Sequence, residues 1–447
     1  MTDQAARRFL FWMLSRMRAE RIEIVEGGRR FGFGPPEAPL RAEVTVRSPH
    51  VYREVLRGST GLAETYMAGH WDTDDAVALI RIAARNMRGM DDLRRRWHPL
   101  LHTGQRVAKM IPHNDRDGSR RNVSAHYDLG NQLFSLFLDP TMMYSCAYFD
   151  SPERSLEEAQ TAKLERVCRQ LRLGPDDHLL EIGTGWGAMA IHAARHHGCR
   201  VTTTTISQEQ HDFALERVEG AGLADRVTVL LEDYRDLRGT YSKLVSLEMI
   251  EAVGWQFFGT YFRRCSELLE PDGLMLLQAI TIDDRAYEVE KASKSFINTH
   301  IFPGGCLPSL DTIHRCVGRH TDMRTVWLDD ITEHYAETLV RWRESFEASS
   351  QLASELGYDL PFRRTWRLYL AYVEAGFRER RIGDVQMVLA KPEWREPLAV
   401  SPSAPWLPAE HPVRDQVHQK ARPARGQLGD GDLATRSEHG PVVADGL

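Results

Sequence analysis

The chain predicts a doubly wound α/β fold, with a mostly parallel sheet and helices on both faces, preceded by a small α+β domain. Three observations predict it. An apolar run carrying Glu181 ends in Gly183-Thr184-Gly185-Trp186-Gly187, and Ala188–His196 follows with helical spacing, so the order is strand, tight turn, helix. Five strand candidates, Asp177–Ile182, Arg200–Thr205, Val227–Leu231, Lys243–Leu247 and Gly273–Ala279, alternate with helical segments, the pattern of right-handed crossovers. Ahead of them, Ile22–Val25, Arg30–Gly34 and Ala42–Val46 read as short strands, and Tyr52–Leu56 and Asp75–Arg88 as helices.

These elements divide the chain into a domain over 1–90, a linker over 91–121, a larger domain over 122–391 and a tail over 392–447. The linker is basic, with Arg94, Arg95, Arg96, Arg106, Lys109, Arg116, Arg120 and Arg121 against few acids. It reads as a solvated connector or as a patch for anionic lipid head groups. Residues 283–350 exceed a minimal domain of this type and read as an inserted lid. The tail is rich in Pro, Gly and charged residues and is expected to be disordered.

Composition narrows the class. The chain has 447 residues, is 42% hydrophobic and 27% charged, and carries a formal charge of −6, as a globular protein does and a general nucleic-acid binder does not. Cys146, Cys168, Cys199, Cys265, Cys306 and Cys316 form no C-x-x-C pair, which suits a reducing compartment and offers no zinc site. No apolar run reaches the length of a membrane span. The start, Arg7–Leu14, resembles a signal core but lacks a cleavage site, and Arg16, Arg18 and Arg21 follow at once, so it reads as a helix. Packing on the protein is the plain expectation for it, and contact with lipid the alternative.

The glycine turn is spaced Gly-x-Gly-x-Gly rather than Gly-x-Gly-x-x-Gly and follows an acidic strand residue. Both details favour S-adenosylmethionine (AdoMet) over a dinucleotide, and hence the class I AdoMet methyltransferase fold, with another nucleotide or a purely structural turn as alternatives. Glu181, Gly183, Gly185, Trp186 and Gly187 are the first contacts. The second strand ends in Thr205-Ile206-Ser207 without the usual acid, so Gln210, or less favourably Glu209, serves the ribose. Asp233, Tyr234 and Arg235 follow the third strand, near the adenine. After the fourth strand Glu248 and Glu251 stand three apart and can share a helical face. Glu248 reads as a cap or a pairing residue, and Glu251 lies where ligands bind, beyond the strand ends.

Several collinear stretches carry a family resemblance: Leu62–Asp72, His126–Asn131, Met143–Tyr148, Glu181–Gly187, Thr205–Gln210, Asp233–Asp236 and Ile301–Ser309. Over about 50–391 the chain resembles the cyclopropane-fatty-acyl-phospholipid synthase family, and most the tuberculostearate-type branch. The resemblance implies an AdoMet-dependent enzyme that methylates the double bond of an unsaturated acyl chain in a membrane phospholipid. It adds Tyr144 and Ser145 to the cofactor contacts. It also implies a bicarbonate base held by Cys146, Glu251, Gln278, Ile280 and Tyr335. Gln278 departs from the family histidine, and an amide donates a hydrogen bond but carries no positive charge. The branch implies a 10-methylene product, which a separate flavoprotein reduces; a cyclopropane is the alternative product. A peripheral enzyme on the inner face of the membrane, cytoplasmic and homo-oligomeric, is expected.

Methyl transfer to an alkene leaves a carbocation, which aromatic faces stabilise. Tyr127, Tyr144, Tyr148, Trp186, Trp255 and Phe258 are the candidates, of which one or two are expected to serve. Rival readings are a soluble small-molecule methyltransferase, which needs neither the first domain nor the basic linker, and a lipid-binding protein with a decayed site. A nucleic-acid methyltransferase lacks its Asn-Pro-Pro-Tyr-type motif here.

Overall fold

In a computed structural model the larger part of the chain is built on a seven-stranded sheet in the spatial order Arg324–Asp330 (β10), Ile382–Ala390 (β11), Leu269–Ile282 (β9), Tyr241–Leu247 (β8), His178–Ile182 (β5), Arg200–Thr205 (β6) and Val227–Leu231 (β7). Residues 2–86, 114–116, 118–119, 121–122, 130–291 and 293–397 are described. Residues 94–96, 106, 109 and 120 of the basic linker, Tyr127 with most of its motif, and nearly all of the tail lie outside the described residues.

The centre of the sheet follows the sequence pattern. β5 (His178–Ile182), β6 (Arg200–Thr205), β7 (Val227–Leu231), β8 (Tyr241–Leu247) and β9 (Leu269–Ile282) are mutually parallel. β5 is apolar apart from His178 at its start and Glu181, and is buried from Leu179 on, as expected of a strand covered on both faces. Helices Leu156–Leu171 and Ala188–His197 pack on one side, and Phe258–Glu267 with Leu310–His320 on the other. Two strands escaped the sequence pattern. β11 (Ile382–Ala390) runs antiparallel to β9, and β10 (Arg324–Asp330) antiparallel to β11. β10 lies inside 283–350, so part of that segment is the sheet's edge rather than a lid.

A four-stranded sheet, β2-β1-β3-β4, precedes it. β1 (Arg21–Glu26), β2 (Arg29–Phe33) and β3 (Arg41–Val46) match the expected strands, and β4 (Trp71–Thr73) is additional. Residues 76–86 are helical. Helix Asp3–Leu14 turns Leu10, Phe11 and Leu14 onto the core. Its Phe9 and Trp12 stand 44% and 50% exposed, their rings stacked 5.8 Å apart. The helix therefore packs on the protein and still presents two aromatics outward.

One side chain explains the Leu62–Asp72 motif. Arg364, on helix Leu360–Arg378, donates Nε to Tyr66 O at 2.6 Å and Nη2 to Trp71 O at 2.8 Å, and its Nη1 pairs with Asp72 at 2.8 Å. The guanidinium is buried over the Tyr66 ring, 3.9 Å from its centroid. Nearby, Glu379 receives Arg81 and Arg85 at 2.8 Å each. The small sheet is thus locked to the long C-terminal helix by charge-assisted bonds.

Candidate active site

The glycine turn forms the floor of a pocket. Gly183, Gly185 and Gly187 have φ of 105°, 52° and 86°, conformations that glycine adopts without strain. A Cβ on Gly185 would meet no atom within 4 Å, so this face of the turn is open. A Cβ on Gly183 would press on the Met249 side chain at 3.2 Å, and one on Gly187 on Ala214 at 3.3 Å. Gly183 thus abuts Met249, which lines the same pocket, and Gly187 serves helix packing.

Tyr144, Ser145, Glu181, Gly183, Gly185, Trp186, Thr205, Ile206, Gln210, Asp233, Tyr234 and Arg235 all line this one pocket. Ser207 does not. It caps helix Gln208–Gly220, accepting from Gln210 N. Gln210 is buried and accepts from Thr205 Oγ1 at 2.8 Å, whereas Glu209 is exposed. Arg235 holds Asp233 by a two-pronged contact at 2.8 and 2.7 Å. Burial alone would raise the Asp233 carboxyl, but this fork keeps it below its ordinary value. Glu181 Oε2 is buried without a partner, and burial pushes the carboxyl up to about 8. An open glycine face, an orphaned acceptor and polar groups at the ends of three successive strands fit AdoMet.

The deep end of the pocket holds the main difference from expectation. Glu248 lines it. Its Oε1 accepts from Cys146 N at 2.8 Å and from Gln278 Nε2 at 2.7 Å, and its Oε2 accepts from Tyr335 Oη at 2.7 Å. Three of the expected anion ligands thus converge on a carboxylate of the chain itself. The remaining two pair with each other: Ile280 N donates to Glu251 Oε1 at 2.5 Å. The five groups do not fit a bicarbonate ion, because their donors are already engaged and a second anion beside Glu248 would be repelled. Glu248 reads from sequence as a cap or pairing residue. It caps no helix but pairs with Cys146 N, Gln278 and Tyr335, and its φ of 51° turns the backbone after β8, so it does not share a helical face with Glu251.

The surroundings hold Gln278 in one orientation. Its Oε1 accepts from Gln386 Nε2 at 3.0 Å, and Gln386 Oε1 accepts from Arg166 Nε at 2.8 Å. The Gln278 amino group therefore faces Glu248 and, at 3.3 Å, Asp384 Oδ2. Burial raises Glu248, while Tyr335, Cys146 N, Lys163 and Gln278 oppose the shift. Burial and the Glu248 charge push Glu251 up to about 8, and Asp384 is held well up by burial, Glu248 and Glu251. Lys163, fully buried, donates to Ser145 Oγ at 2.6 Å and is lowered to about 8 by burial. Burial keeps the Cys146 thiol neutral, so this residue contributes its backbone N–H.

Among the six candidate aromatics, Tyr144 and Trp186 line the pocket. They front a cluster that sequence reasoning missed, in which Tyr144 meets Phe302 and Trp342, and Phe302 meets Tyr369. Phe258 is core, Trp255 is 38% exposed, and Tyr148 packs against His334 and Arg166. Away from the pocket, Cys168, His192 and His197 bring potential ligand atoms within 4.8 Å of one another. Spacing could not show this group, because it spans two helices. Both imidazoles contact Glu165 Oε2.

The fold and the pocket define an AdoMet-dependent methyltransferase of class I. The model of the family described as mycolic acid cyclopropane synthetase matches residues 114–387, and the chain belongs to that family. It is 37% identical over 378 residues to a tuberculostearic acid methyltransferase of Mycobacterium tuberculosis, covering 82% of this chain and 87% of that one. It is 36% identical over 354 residues to the cyclopropane-fatty-acyl-phospholipid synthase of Escherichia coli K12, covering 78% and 88%. A mycolic acid cyclopropane synthase solved with SAH and CTAB superposes with a TM-score of 0.57 at 31% identity, covering 63% of this chain and all of the other.

Proposed function

We propose that this enzyme methylates the double bond of an unsaturated acyl chain in a membrane phospholipid and releases mainly a 10-methylene chain. The observation that carries the reading is the reactive end of the pocket. The aromatic side chains Tyr144 and Trp186 and the buried Glu248 carboxylate line the same pocket, which suits an apolar acceptor that passes through a cation. The similarity to the tuberculostearic acid methyltransferase supports the product assignment.

Bound AdoMet supplies an electrophilic methyl, which the alkene takes up to leave a carbocation on the acyl chain. The apolar wall excludes water, which would otherwise trap the cation, and the ring faces stabilise its charge. A hydride shift moves the cation to the methylated carbon, and loss of a proton from the new methyl gives the methylene. Loss of that proton before the shift closes a cyclopropane instead, the outcome favoured by the similarity to the E. coli enzyme.

No helix among the described residues is long and apolar enough to cross a membrane. In this reading the enzyme docks peripherally on the inner, cytoplasmic face, through the exposed Phe9 and Trp12 and the basic segment at 91–121. The domain over 1–90 serves docking and 122–391 catalysis, the protein works as a homo-oligomer, and a flavoprotein reductase consumes the product. Mass spectrometry of lipids from a host expressing the chain tests the reading. Unsaturated phospholipids should gain one CH₂, whereas methylation confined to soluble acceptors would contradict it.

A further inference from the structure

Glu248 combines three features that no capping role explains. It is buried and lines the cofactor pocket. It gathers three donors from three separate parts of the fold, β9, the Ser145-Cys146 turn and helix Thr332–Ala348. It also holds a left-handed backbone, φ 51°, which costs a non-glycine residue about 1–3 kcal/mol. Strain of this kind persists where the surroundings impose it, and here it aims a carboxylate into the cofactor pocket.

We infer that Glu248 is the built-in general base of this enzyme and replaces a bound bicarbonate. The inference rests on the proposed methylation of an acyl double bond. The lone pairs assign the reacting atom. Oε1 accepts two hydrogen bonds and Oε2 one, from Tyr335, with the Asp384 carboxyl a further hydrogen-bonding neighbour of the group, so Oε2 is the oxygen assigned to take the proton. In the proton-loss step a C–H bond of the transferred methyl breaks. Its electron pair forms the new carbon–carbon bond, the positive charge on the acyl chain is cancelled, and Oε2 becomes O–H. The proton returns to solvent after the product leaves.

Gln278 is a positioning residue in this arrangement. Its amino group orients Oε1 without adding charge, and the amide is fixed in turn by Gln386 and Arg166. Lys163 supplies a cationic side chain that lowers the Glu248 carboxyl.

The test compares wild type with Glu248→Gly in carbonate-free buffer, on vesicles of unsaturated phospholipid. Glycine suits the left-handed backbone, so the variant should keep its circular dichroism spectrum and bind AdoMet within a few-fold of wild type. Wild-type turnover should not change when sodium bicarbonate is added, and acid denaturation should release far less than one CO₂ per chain. Turnover of Glu248→Gly should fall by about 10² or more, the scale of a lost general base, and added bicarbonate should restore at least tenfold of it. A bicarbonate requirement in wild type would overturn the inference, as would near-normal turnover by the variant or a loss that bicarbonate does not restore. A wild-type protein that adds no CH₂ to any lipid would instead remove the functional reading on which the inference rests.

Discussion

Glu248, Glu251 and Asp384 are buried within one electrostatic neighbourhood, beside the buried Lys163. Three carboxyls cannot all ionise there, because each charge raises the others. Glu248 has three hydrogen-bond donors, while Glu251 has one and leaves an oxygen without a partner. The negative charge therefore belongs on Glu248, with Asp384 and Glu251 protonated at neutral pH. A base must be ionised to work, so kcat should fall as the pH drops through the raised Glu248 value. Lys163→Met removes the cation that holds this value down, and the acid limb of the kcat–pH profile should move to higher pH. A profile that stays in place would separate Lys163 from the base. The residues of this cluster were legible in sequence only in part. Glu251, Gln278 and Tyr335 were visible through motif position, and Glu248 as a pairing residue, but the three donors it gathers were not, because a left-handed backbone at a glutamate leaves no mark on spacing or periodicity.

At the scale of elements, the strands that carry the cofactor pocket were legible because buried runs in β5, β6 and β8 lead to polar residues at the pocket, Glu181 within β5, Thr205 at the end of β6 and Glu248 just after β8. β11 was not. A buried strand that contains Asp384 and Gln386 breaks the apolar pattern, and those two residues are buried because they meet Gln278. β10 was hidden for a related reason, since its half-exposed edge carries Arg324, Asp329 and Asp330. The turn after β5 makes a sharp prediction. The face of Gly185 is open to the pocket, so a valine there would project into cofactor space. Gly185→Val should weaken AdoMet binding at least tenfold by calorimetry, about 1.4 kcal/mol, while the circular dichroism spectrum is kept. The positive φ adds strain of about 1–3 kcal/mol, so a lower melting temperature is expected as well. Undiminished AdoMet affinity would place the cofactor elsewhere.

At the scale of the whole molecule, Arg364 fastens the small sheet to the same C-terminal helix that brings Tyr369 to the aromatic wall. The surface proposed for docking and the reactive pocket are thus tied to one element. This connection was invisible in sequence, because Arg364 meets Tyr66, Trp71 and Asp72 from nearly three hundred positions away. The central claim is that the enzyme adds a methyl to a phospholipid acyl chain and loses the proton only after the hydride shift. Methylene and cyclopropane products are isomers of equal mass, so the direct measurement is proton NMR of the lipids formed on unsaturated vesicles. Terminal alkene protons should be the dominant new signal; dominant high-field ring protons would contradict the hydride shift and leave a cyclopropane synthase.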